Sequence, residues 1–342
     1  MPTTPNGRSR PRAALAMAPD TAAAVFHPAA LAALGQVCDL VPGTVLDDFT
    51  TEPAAAVLAE VEVLVTGWGC PPLDSAVLAA APRLRAVVHT GGSVRTHITK
   101  ACWDRGIEVA SAASANALPV AEYTVAMILL SGKRVLERAR DLRATRGRDD
   151  PLSTPRDIGN FGRTVGILSA SLVGRRVIEL LRPYDLRVLL HDPYVTDAEA
   201  AVLGAAAVGI RDLFERSDVV SVHTPLLPTT LGLVSRELID AMRPDAVLVN
   251  TARGAVVDQD ALAEAAAGGR VRAVLDVTDP EVLPPGHPLW DSDNVLITPH
   301  LAGSQGNEWA RLADLATTEV GRWASGLGFA HPVRRERLAH LA

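Results

Sequence analysis

Short apolar runs alternate along most of the chain with longer stretches in which alanine and leucine recur at helical spacing. Short runs rich in β-branched residues are typical of buried strands, and the stretches between them are typical of crossover helices. This alternation predicts an α/β protein with doubly wound parallel sheets. The predicted strands lie at residues 61–66, 85–89, 107–110, 164–168, 186–191, 219–223, 246–250, 271–276 and 295–298.

The longer apolar stretches predict the helices, which lie at residues 73–81, 94–105, 119–143, after Val257, and at 307–325. Pro119 occupies a first-turn position, where proline is tolerated because its missing N–H has no partner there. Asp258 is the predicted N-cap of the helix after Val257, and Gly268-Gly269 is expected to end that helix.

A polar segment at residues 144–160 separates two series of strands and helices. It combines Arg, Asp, Pro, Gly and Ser without an apolar period, which is typical of a linker. A chain of 342 residues suits two domains that each bury a core of their own. We therefore expect two α/β domains, with the second series of elements beginning at Thr164.

The composition disfavours several classes of protein. A net charge of −6 without a basic stripe does not favour nucleic acid as a partner. The three cysteines, Cys38, Cys70 and Cys102, are too few and too widely spaced for a disulfide framework or a zinc site. We expect reduced thiols, no metal and a cytoplasmic location.

The apolar segments of the chain do not favour a membrane protein. Residues 1–12 are predicted to be disordered, and the apolar run at 13–18 is too short for the core of a signal peptide. The longest internal apolar stretch, at 123–130, falls far below the roughly 20 residues that cross a bilayer. No membrane partner is therefore expected.

A nucleotide-binding loop is predicted directly after the strand at 164–168. The loop leads into a helix, and Asp192 ends the next strand, an order typical of a Rossmann βαβ unit. In such a unit the helix N-terminus binds the pyrophosphate and the acid binds the adenosine ribose. No Arg adjoins Asp192, which favours NAD over NADP because a 2′-phosphate would meet a carboxylate. The loop residues are Ser169, Ala170, Ser171, Leu172, Val173 and Gly174.

This loop departs from the usual G-x-G-x-x-G pattern, since it contains S-x-S-x-x-G. Gly174 remains where close packing of helix and strand needs a glycine. Serine adds a Cβ at Ser169 and Ser171, which costs on the order of 1 kcal/mol wherever φ is positive. A hydroxyl could instead donate to a phosphate oxygen. The alternative is a domain that kept the scaffold and lost the nucleotide.

Three segments near the end of the chain supply a cation, a carboxylate and an imidazole, each after a predicted strand. They contain Arg253, Glu281 and His300. An Arg fork binds a carboxylate and polarises the neighbouring carbonyl, and a His held by a carboxylate moves a proton. These are the parts needed to reduce a 2-keto acid with a hydride donor. Each residue has an alternative when it is taken singly. Arg253 could be a surface arginine, Glu281 part of an ordinary acidic loop, and His300 a core histidine.

Over nearly its whole length the sequence resembles the D-isomer-specific 2-hydroxyacid dehydrogenase family. The resemblance rests on NALPVAE at 116–122, VSVHTPL at 220–226, LVNTARG at 248–254 and VLITPH at 295–300. The last two motifs are the most specific. The family reduces 2-keto acids to D-2-hydroxy acids with NAD, or runs the reverse reaction, usually as homodimers joined through the nucleotide domain.

The resemblance implies roles for particular residues and a division of the chain. Arg253, Glu281 and His300 would be catalytic. Residues 1–118 and 304–342 would form a discontinuous substrate domain. Residues 119–303 would form the NAD-binding Rossmann domain, including the inter-domain helix 119–143, with a cleft between the two domains. The implied cofactor-binding residues are Ser169, Ala170, Ser171, Leu172, Val173, Gly174, Asp192, His223, Thr224, Pro225, Thr230, Thr251, Ala252, Asp276 and Gly303.

On the substrate side the resemblance implies that backbone amides around Gly92, Ser93 and Val94 hold the substrate carboxylate. Arg95 is either a site for a second anionic group or an exposed arginine at a helix start. Trp68 follows a strand and either walls the pocket or packs in the core. Trp309 is a further candidate from the last helix.

Two departures beyond the loop serines concern the shape of the pocket: Thr278 stands where an aromatic residue is common, and Val282 where proline is usual. A non-catalytic NAD-sensing protein on the same scaffold is the alternative from another class. Oxidation of formate or phosphite is the enzymatic alternative. Glu281 disfavours formate, because the formate dehydrogenases that resemble this family carry Gln at that position.

Overall fold

The computed structural model describes residues 10–147, 150–156 and 158–338. Its strands, in chain order, are β1 (Arg12–Ala16), β2 (Asp39–Val45), β3 (Val63–Thr66), β4 (Ala86–His89), β5 (Glu108–Ser111), β6 (Thr164–Leu168), β7 (Arg187–His191), β8 (Ala206–Ala207), β9 (Val219–Val222), β10 (Val247–Asn250), β11 (Arg272–Leu275) and β12 (Val295–Ile297).

The helices are α1 (Pro19–Val25), α2 (Pro28–Val37), α3 (Glu52–Leu58), α4 (Ser75–Ala80), α5 (Lys100–Asp104), α6 (Ala113–Gly132), α7 (Val135–Thr145), α8 (Leu172–Leu181), α9 (Asp197–Leu203), α10 (Ile210–Arg216), α11 (Arg236–Ala241), α12 (Gln259–Ala267) and α13 (Trp309–Ala324). Short 3₁₀ turns lie at Pro151–Ser153, Gly254–Val256, Gly306–Glu308 and Arg335–Arg337.

The chain divides into two compact units, one of residues 10–117 with 304–338 and one of residues 118–303. The first unit has a parallel sheet in the order β2-β1-β3-β4-β5, and the second has a parallel sheet in the order β12-β11-β10-β9-β6-β7-β8. These are the flavodoxin-like and Rossmann-like arrangements of doubly wound sheets. The predicted fold class is confirmed.

The predicted strands are confirmed to within two residues at each end, but strands β1, β2 and β8 were not predicted. In the sequence, β1 lies in the apolar run at 13–18, which is too short for the core of a signal peptide and lacks the β-branched residues typical of a strand. In the structure Ala13, Ala14 and Ala16 are fully buried between β2 and β3. Alanine has low strand propensity, so the run does not resemble a strand, although small side chains suit a central strand covered on both faces. Arg12 begins β1, so the predicted disorder is wrong there; residues 1–9 lie outside the described residues.

Two helix predictions need correction. The helix predicted at 119–143 is two helices, because Arg134 adopts a left-handed conformation with φ of 51° between α6 and α7. Helix α6 also begins at Ala113, so Pro119 lies inside it. The helix predicted at 94–105 begins only at Lys100, after a turn closed by a hydrogen bond of 2.9 Å from the Ile98 amide to the Val94 carbonyl.

Helix α6 also corrects the expectation that no segment reaches bilayer length. By length and composition it is the one such helix among the residues that the structure describes. Its residues Ala121, Val125 and Ile128 are buried with the strands and helices of the second unit. Helices in protein cores satisfy the same criteria of length and composition as membrane spans. This packing assigns α6 to a protein core.

The ends of α12 agree with the prediction, and α13 lies within the predicted range 307–325. The Asp258 carboxylate accepts a hydrogen bond of 2.9 Å from the Ala261 amide and so caps α12. Gly268 ends that helix, and Gly269 follows with φ of 69°, a conformation that favours glycine.

Candidate active site

Three adjacent strands of the second sheet each lead into one of the predicted catalytic side chains. Arg253 follows β10, Glu281 lies in the loop after β11, and His300 follows β12. Since the order of these strands is β12-β11-β10, their carboxyl ends lie side by side. Open α/β sheets place their ligands at this edge.

The imidazole of His300 and the carboxylate of Glu281 are in direct contact, with Nδ1 and Oε1 2.5 Å apart. An ionised carboxylate only accepts hydrogen bonds, so Nδ1 carries the proton in this contact, and Nε2 is the nitrogen left to exchange a proton with a substrate. Both side chains are about half exposed, at 49% and 59%. The pair is therefore ordered by a specific contact yet accessible to a small molecule.

Asp276 holds the segment that carries His300. Its buried carboxylate accepts hydrogen bonds from the Thr298 hydroxyl at 2.6 Å, the Leu301 amide at 2.9 Å and the Ala302 amide at 3.0 Å. The backbone amide of His300 also donates to the Asp276 carbonyl at 3.0 Å. These bonds hold the residue at φ of 51°, a conformation that His adopts more readily than most residues. The sequence indicated Asp276 only as a cofactor neighbour, so this positioning role was missed.

The loop that carries Glu281 is held by two side chains. The Thr278 hydroxyl lies 2.8 Å from the Pro280 carbonyl and 2.9 Å from the Glu281 carbonyl. The amide group of Gln259 pairs with the backbone of Asp279, accepting from its N–H at 2.9 Å and donating to its carbonyl at 2.5 Å. Thr278 thus holds the backbone of the residue that carries the carboxylate. Gln259 lies twenty positions earlier and has no local pattern that marks it, so sequence reasoning missed it.

Arg253 is fixed through its own backbone. The Asn250 side chain accepts from the Ala252 amide and donates to the Arg253 carbonyl, both at 3.0 Å. A Cβ on Gly254 would lie 2.1 Å from the carbonyl carbon of Thr278, so this turn packs directly on the Glu281 loop. Burial lowers the pKa of Arg253 and the Glu281 carboxylate counteracts this, although part of the side chain is open to solvent. The guanidinium remains a cation at neutral pH.

The two serines of the nucleotide loop have different conformations. Ser169 has φ of 82°, so the cost of a Cβ applies there, and its hydroxyl donates to Asp192 at 3.2 Å. The Ala170 amide donates to the same carboxylate oxygen at 2.7 Å. Ser171 has φ of −61° and caps α8 by accepting from the Gly174 amide at 3.3 Å. Strain is therefore confined to the first serine, and the second serves as an ordinary N-cap.

The loop fits a dinucleotide at two places. A Cβ on Gly174 would lie 2.1 Å from the Ser169 carbonyl oxygen, so the close approach of helix and strand is preserved. A cavity of about 300 Å³ adjoins Asp192 and is lined in part by Val195, Val208 and Gly209. This volume lies at the lower end of the range for small-molecule sites.

The remaining predicted cofactor residues lie in the segments after strands β9, β10 and β12. His223 is buried, its Nε2 lies 2.9 Å from the Ser221 hydroxyl, and burial lowers its pKa to about 3, so the ring is neutral. The Thr230 hydroxyl donates to the Pro225 carbonyl at 2.6 Å and folds the loop after β9 on itself. Thr224 lies against Leu168, Thr251 contacts Thr124, and Ala252 and Gly303 follow β10 and β12.

In the first unit, Gly92, Ser93 and Val94 form the turn after β4, and Trp68 follows β3. The guanidinium of Arg95 donates to the backbone carbonyl of Leu338, which favours a structural over an anion-binding role. Within residues 10–147, 150–156 and 158–338, no group of three or more His, Cys, Asp and Glu side chains is placed to hold a metal ion.

Gly174→Ala is expected to weaken NADH binding by tenfold or more and to lower the thermal stability, because the added Cβ would displace the Ser169 backbone. Gly268→Ala is the matched control, since its Cβ would have its nearest neighbour at 3.5 Å, an ordinary contact. Titration of each variant with NADH by fluorescence, alongside thermal melts, tests the prediction. Equal affinities of the two variants for NADH would show that the loop is not the nucleotide site.

Comparison with known proteins identifies the second unit. Residues 125–302 match the family model for the NAD-binding domain of D-isomer specific 2-hydroxyacid dehydrogenases. The chain is 35% identical over 249 residues to D-3-phosphoglycerate dehydrogenase of Mycobacterium leprae, covering 72% of this chain and 46% of that protein. It is 34% identical over 254 residues to glyoxylate reductase of Thermofilum pendens, covering 72% of this chain and 74% of that protein.

A solved structure of a phosphoglycerate oxidoreductase from Rhizobium etli has the same fold. The TM-score is 0.81 at 22% identity, over 96% of this chain and 100% of that chain. The chain spans about half the length of the mycobacterial phosphoglycerate dehydrogenases that it matches.

Proposed function

The chain belongs to the D-isomer specific 2-hydroxyacid dehydrogenase family, and from this premise we propose that it interconverts a small 2-keto acid and a D-2-hydroxy acid with NAD. The observation that carries the proposal is the His300–Glu281 contact of 2.5 Å in the same sheet edge as Arg253. The second unit is the proposed NAD-binding domain and the first the substrate domain.

Each of the three side chains has one task in the proposed reaction. Arg253 binds the substrate carboxylate with its fork and polarises the adjacent keto group. His300 donates a proton from Nε2 to the carbonyl oxygen, and it removes that proton in the reverse direction. Glu281 holds the Nδ1–H tautomer and stabilises the imidazolium. Bound NADH supplies the hydride to the keto carbon.

The proposed cofactor contacts follow from the loop geometry. The N-terminus of α8 and the loop 169–174 would bind the pyrophosphate, and Asp192 would accept from the ribose hydroxyls. Asp192 has no neighbouring arginine in the sequence, which supports NADH over NADPH. The amides of residues 92–94 are the proposed anchor for the substrate carboxylate.

The non-catalytic alternative finds no support, since the three residues of the proposed catalytic set are all present and the relatives carry the names of enzymes. The test is a spectrophotometric screen of small 2-keto acids with NADH and NADPH. We expect consumption of NADH with at least one acid and slower turnover with NADPH. Tight NADH binding with no consumption across the panel would favour the NAD-sensing alternative.

A homodimer is the proposed assembly, and a second copy of the chain is the proposed occupant of one apolar surface. Helix α7 has no buried residue, and Val135, Leu136 and Leu142 are all exposed on it. Leu152 and Phe161, in the segment after that helix, are 95% and 89% exposed. Such a concentration of large exposed apolar side chains is typical of an interface. Light scattering should give twice the mass of the chain, and a monomer would contradict this.

The proposed location is the cytoplasm. All three cysteines are free and buried, and burial raises the pKa of Cys38 and of Cys70 to about 12, so these two thiols stay protonated. Free thiols are typical of a reducing compartment.

A further inference from the structure

The turn after β4 offers backbone donors to an anion. Among the described residues, none accepts a hydrogen bond from the amides of Gly92, Ser93 or Val94. A Cβ added at Gly92 would meet no atom within 4 Å, so there is open space on that side of the turn. Unpaired amides grouped in one turn form a site for a carboxylate or another small anion.

The indole of Trp68 lies directly against this turn. A Cβ on Gly91 would lie 2.7 Å from Nε2 of His89 and 3.1 Å from Cζ2 of Trp68, so a glycine suits this close packing. The ring also contacts Trp309, with centroids 5.4 Å apart and planes at 77°, and it lies edge-on to His89 at 6.3 Å. Despite these contacts, Trp68 is 42% exposed. A large apolar side chain thus lies beside the amides and remains partly exposed to solvent.

His89 and His97, the two histidines near the indole, are neutral. The Thr66 hydroxyl lies between them, 3.0 Å from Nδ1 of His89 and 3.1 Å from Nε2 of His97. Burial, and then the neighbouring His97, lower the pKa of His89 to about 3, and burial lowers the pKa of His97 to about 4. Neither ring is a cation at neutral pH.

The arginine next to the turn and the arginine near Trp309 both contact other groups. Arg95, next to the turn, donates to the Leu338 carbonyl, and Arg311, two residues after Trp309, pairs with Glu308 at 3.9 Å. A phosphate group beside the indoles would lose its hydration without gaining a cation, which is costly. An uncharged apolar group would instead gain from burial against the two rings.

We propose that Trp68 and Trp309 form the subsite for the substrate side chain, and that it selects 2-keto acids with an aromatic or bulky apolar group. This inference rests on the proposed function, since it assumes that the adjacent amides bind the substrate carboxylate. It sets this chain apart from relatives named for phosphoglycerate, whose substrate carries a phosphate.

Steady-state kinetics with NADH test the substrate class. We expect kcat/KM for phenylpyruvate to exceed that for glyoxylate by about thirtyfold, from burial of the ring. We expect 3-phosphohydroxypyruvate to be the poorest of the three. Preference for the phosphorylated acid, or equal kcat/KM for phenylpyruvate and glyoxylate, would overturn the subsite while leaving the proposed function intact.

Substitution of Trp68 tests whether its indole causes the expected preference for phenylpyruvate over glyoxylate. Trp68→Ala should lower the ratio of kcat/KM for phenylpyruvate over glyoxylate by about tenfold or more. The matched control is Trp323→Ala, which removes an indole from helix α13 that donates to Glu108 instead. Trp323→Ala should leave the ratio unchanged. A ratio that Trp68→Ala leaves at the wild-type value would overturn the proposal.

Binding of phenylacetate gives a readout that does not need turnover. Calorimetry should show tighter binding of phenylacetate than of acetate to the wild type, and Trp68→Ala should remove the difference. If no keto acid consumes NADH but this difference is seen, the proposed function fails and the aromatic subsite stands. If acetate and phenylacetate bind alike, the subsite fails.

Discussion

His300→Asn is expected to lower kcat for keto-acid reduction about a thousandfold, the effect typical of losing a general acid. Asn suits the substitution because it also adopts the left-handed backbone conformation, so φ of 51° can be retained. The hydrogen bonds that the Leu301 and Ala302 amides donate to the Asp276 carboxylate do not involve the imidazole and should persist. The variant therefore removes the proton donor while leaving its segment in place.

The measurement is kcat on the best keto acid of the wild type, together with the Kd for NADH. The Kd should change by less than about threefold, because His300 is proposed to act on substrate. His287→Asn is the matched control, since His287 lies in the same unit and its ring accepts a local hydrogen bond from the Leu289 amide. A kcat for His300→Asn within tenfold of the wild type would remove His300 from the mechanism.

Arg253→Lys is expected to lower kcat/KM by about a hundredfold, and Arg253→Gln by about a thousandfold. Lysine keeps the charge but loses the planar fork that binds a carboxylate through two parallel hydrogen bonds. The backbone of this turn is held by Asn250, so the substitutions should not move the Glu281 loop. The difference in kcat/KM between the lysine and the glutamine variant gives the contribution of the charge, and the difference between the wild type and the lysine variant gives that of the fork geometry.

Kinetics over a range of keto-acid concentrations give kcat and KM for each variant. Arg236→Lys serves as the control, because Arg236 is a surface residue that pairs with Glu264 in the same unit. Equal kcat/KM for the lysine variant and the wild type would show that bidentate binding is not needed. If Arg253→Gln left kcat/KM at the wild-type value, Arg253 would have no role in substrate binding.

The loop serines bear on cofactor affinity. Only Ser169 has a positive φ, and its hydroxyl bonds to the same Asp192 oxygen that accepts from Ala170. The hydrogen bond compensates in part for the strained backbone, since such a bond contributes on the order of 1 kcal/mol. Ser171 has an unstrained backbone and caps its helix. The departure from three glycines is therefore compatible with a nucleotide-binding loop.

Sequence reasoning worked where the pattern is local. The strand at 164–168 was predicted with its bounds, because a buried strand has a continuous apolar run with clear turn signals on both sides. The positions of Arg253 and His300 followed from the strands before them. Topology then brought these strand ends together, which a parallel sheet ensures once the strand order is known.

Features that depend on distant contacts were not predictable. The alanines of β1 acquire their strand conformation from burial between two neighbouring strands. The pairing of Gln259 with Asp279 joins residues from a helix start and a loop, and no periodicity marks it. The carboxylate of Asp276 binds amides more than twenty residues away. Each is decided by tertiary packing rather than local propensity.

The most direct test of the central proposal is the fate of deuterium from NADH labelled at C4 of the nicotinamide. The protein is incubated with labelled NADH and its best 2-keto acid, and the product is analysed by chiral chromatography and mass spectrometry. The account predicts a D-2-hydroxy acid that carries deuterium at C2, formed in a one-to-one ratio with oxidised NAD. An L-2-hydroxy acid, or a product without the label, would contradict it.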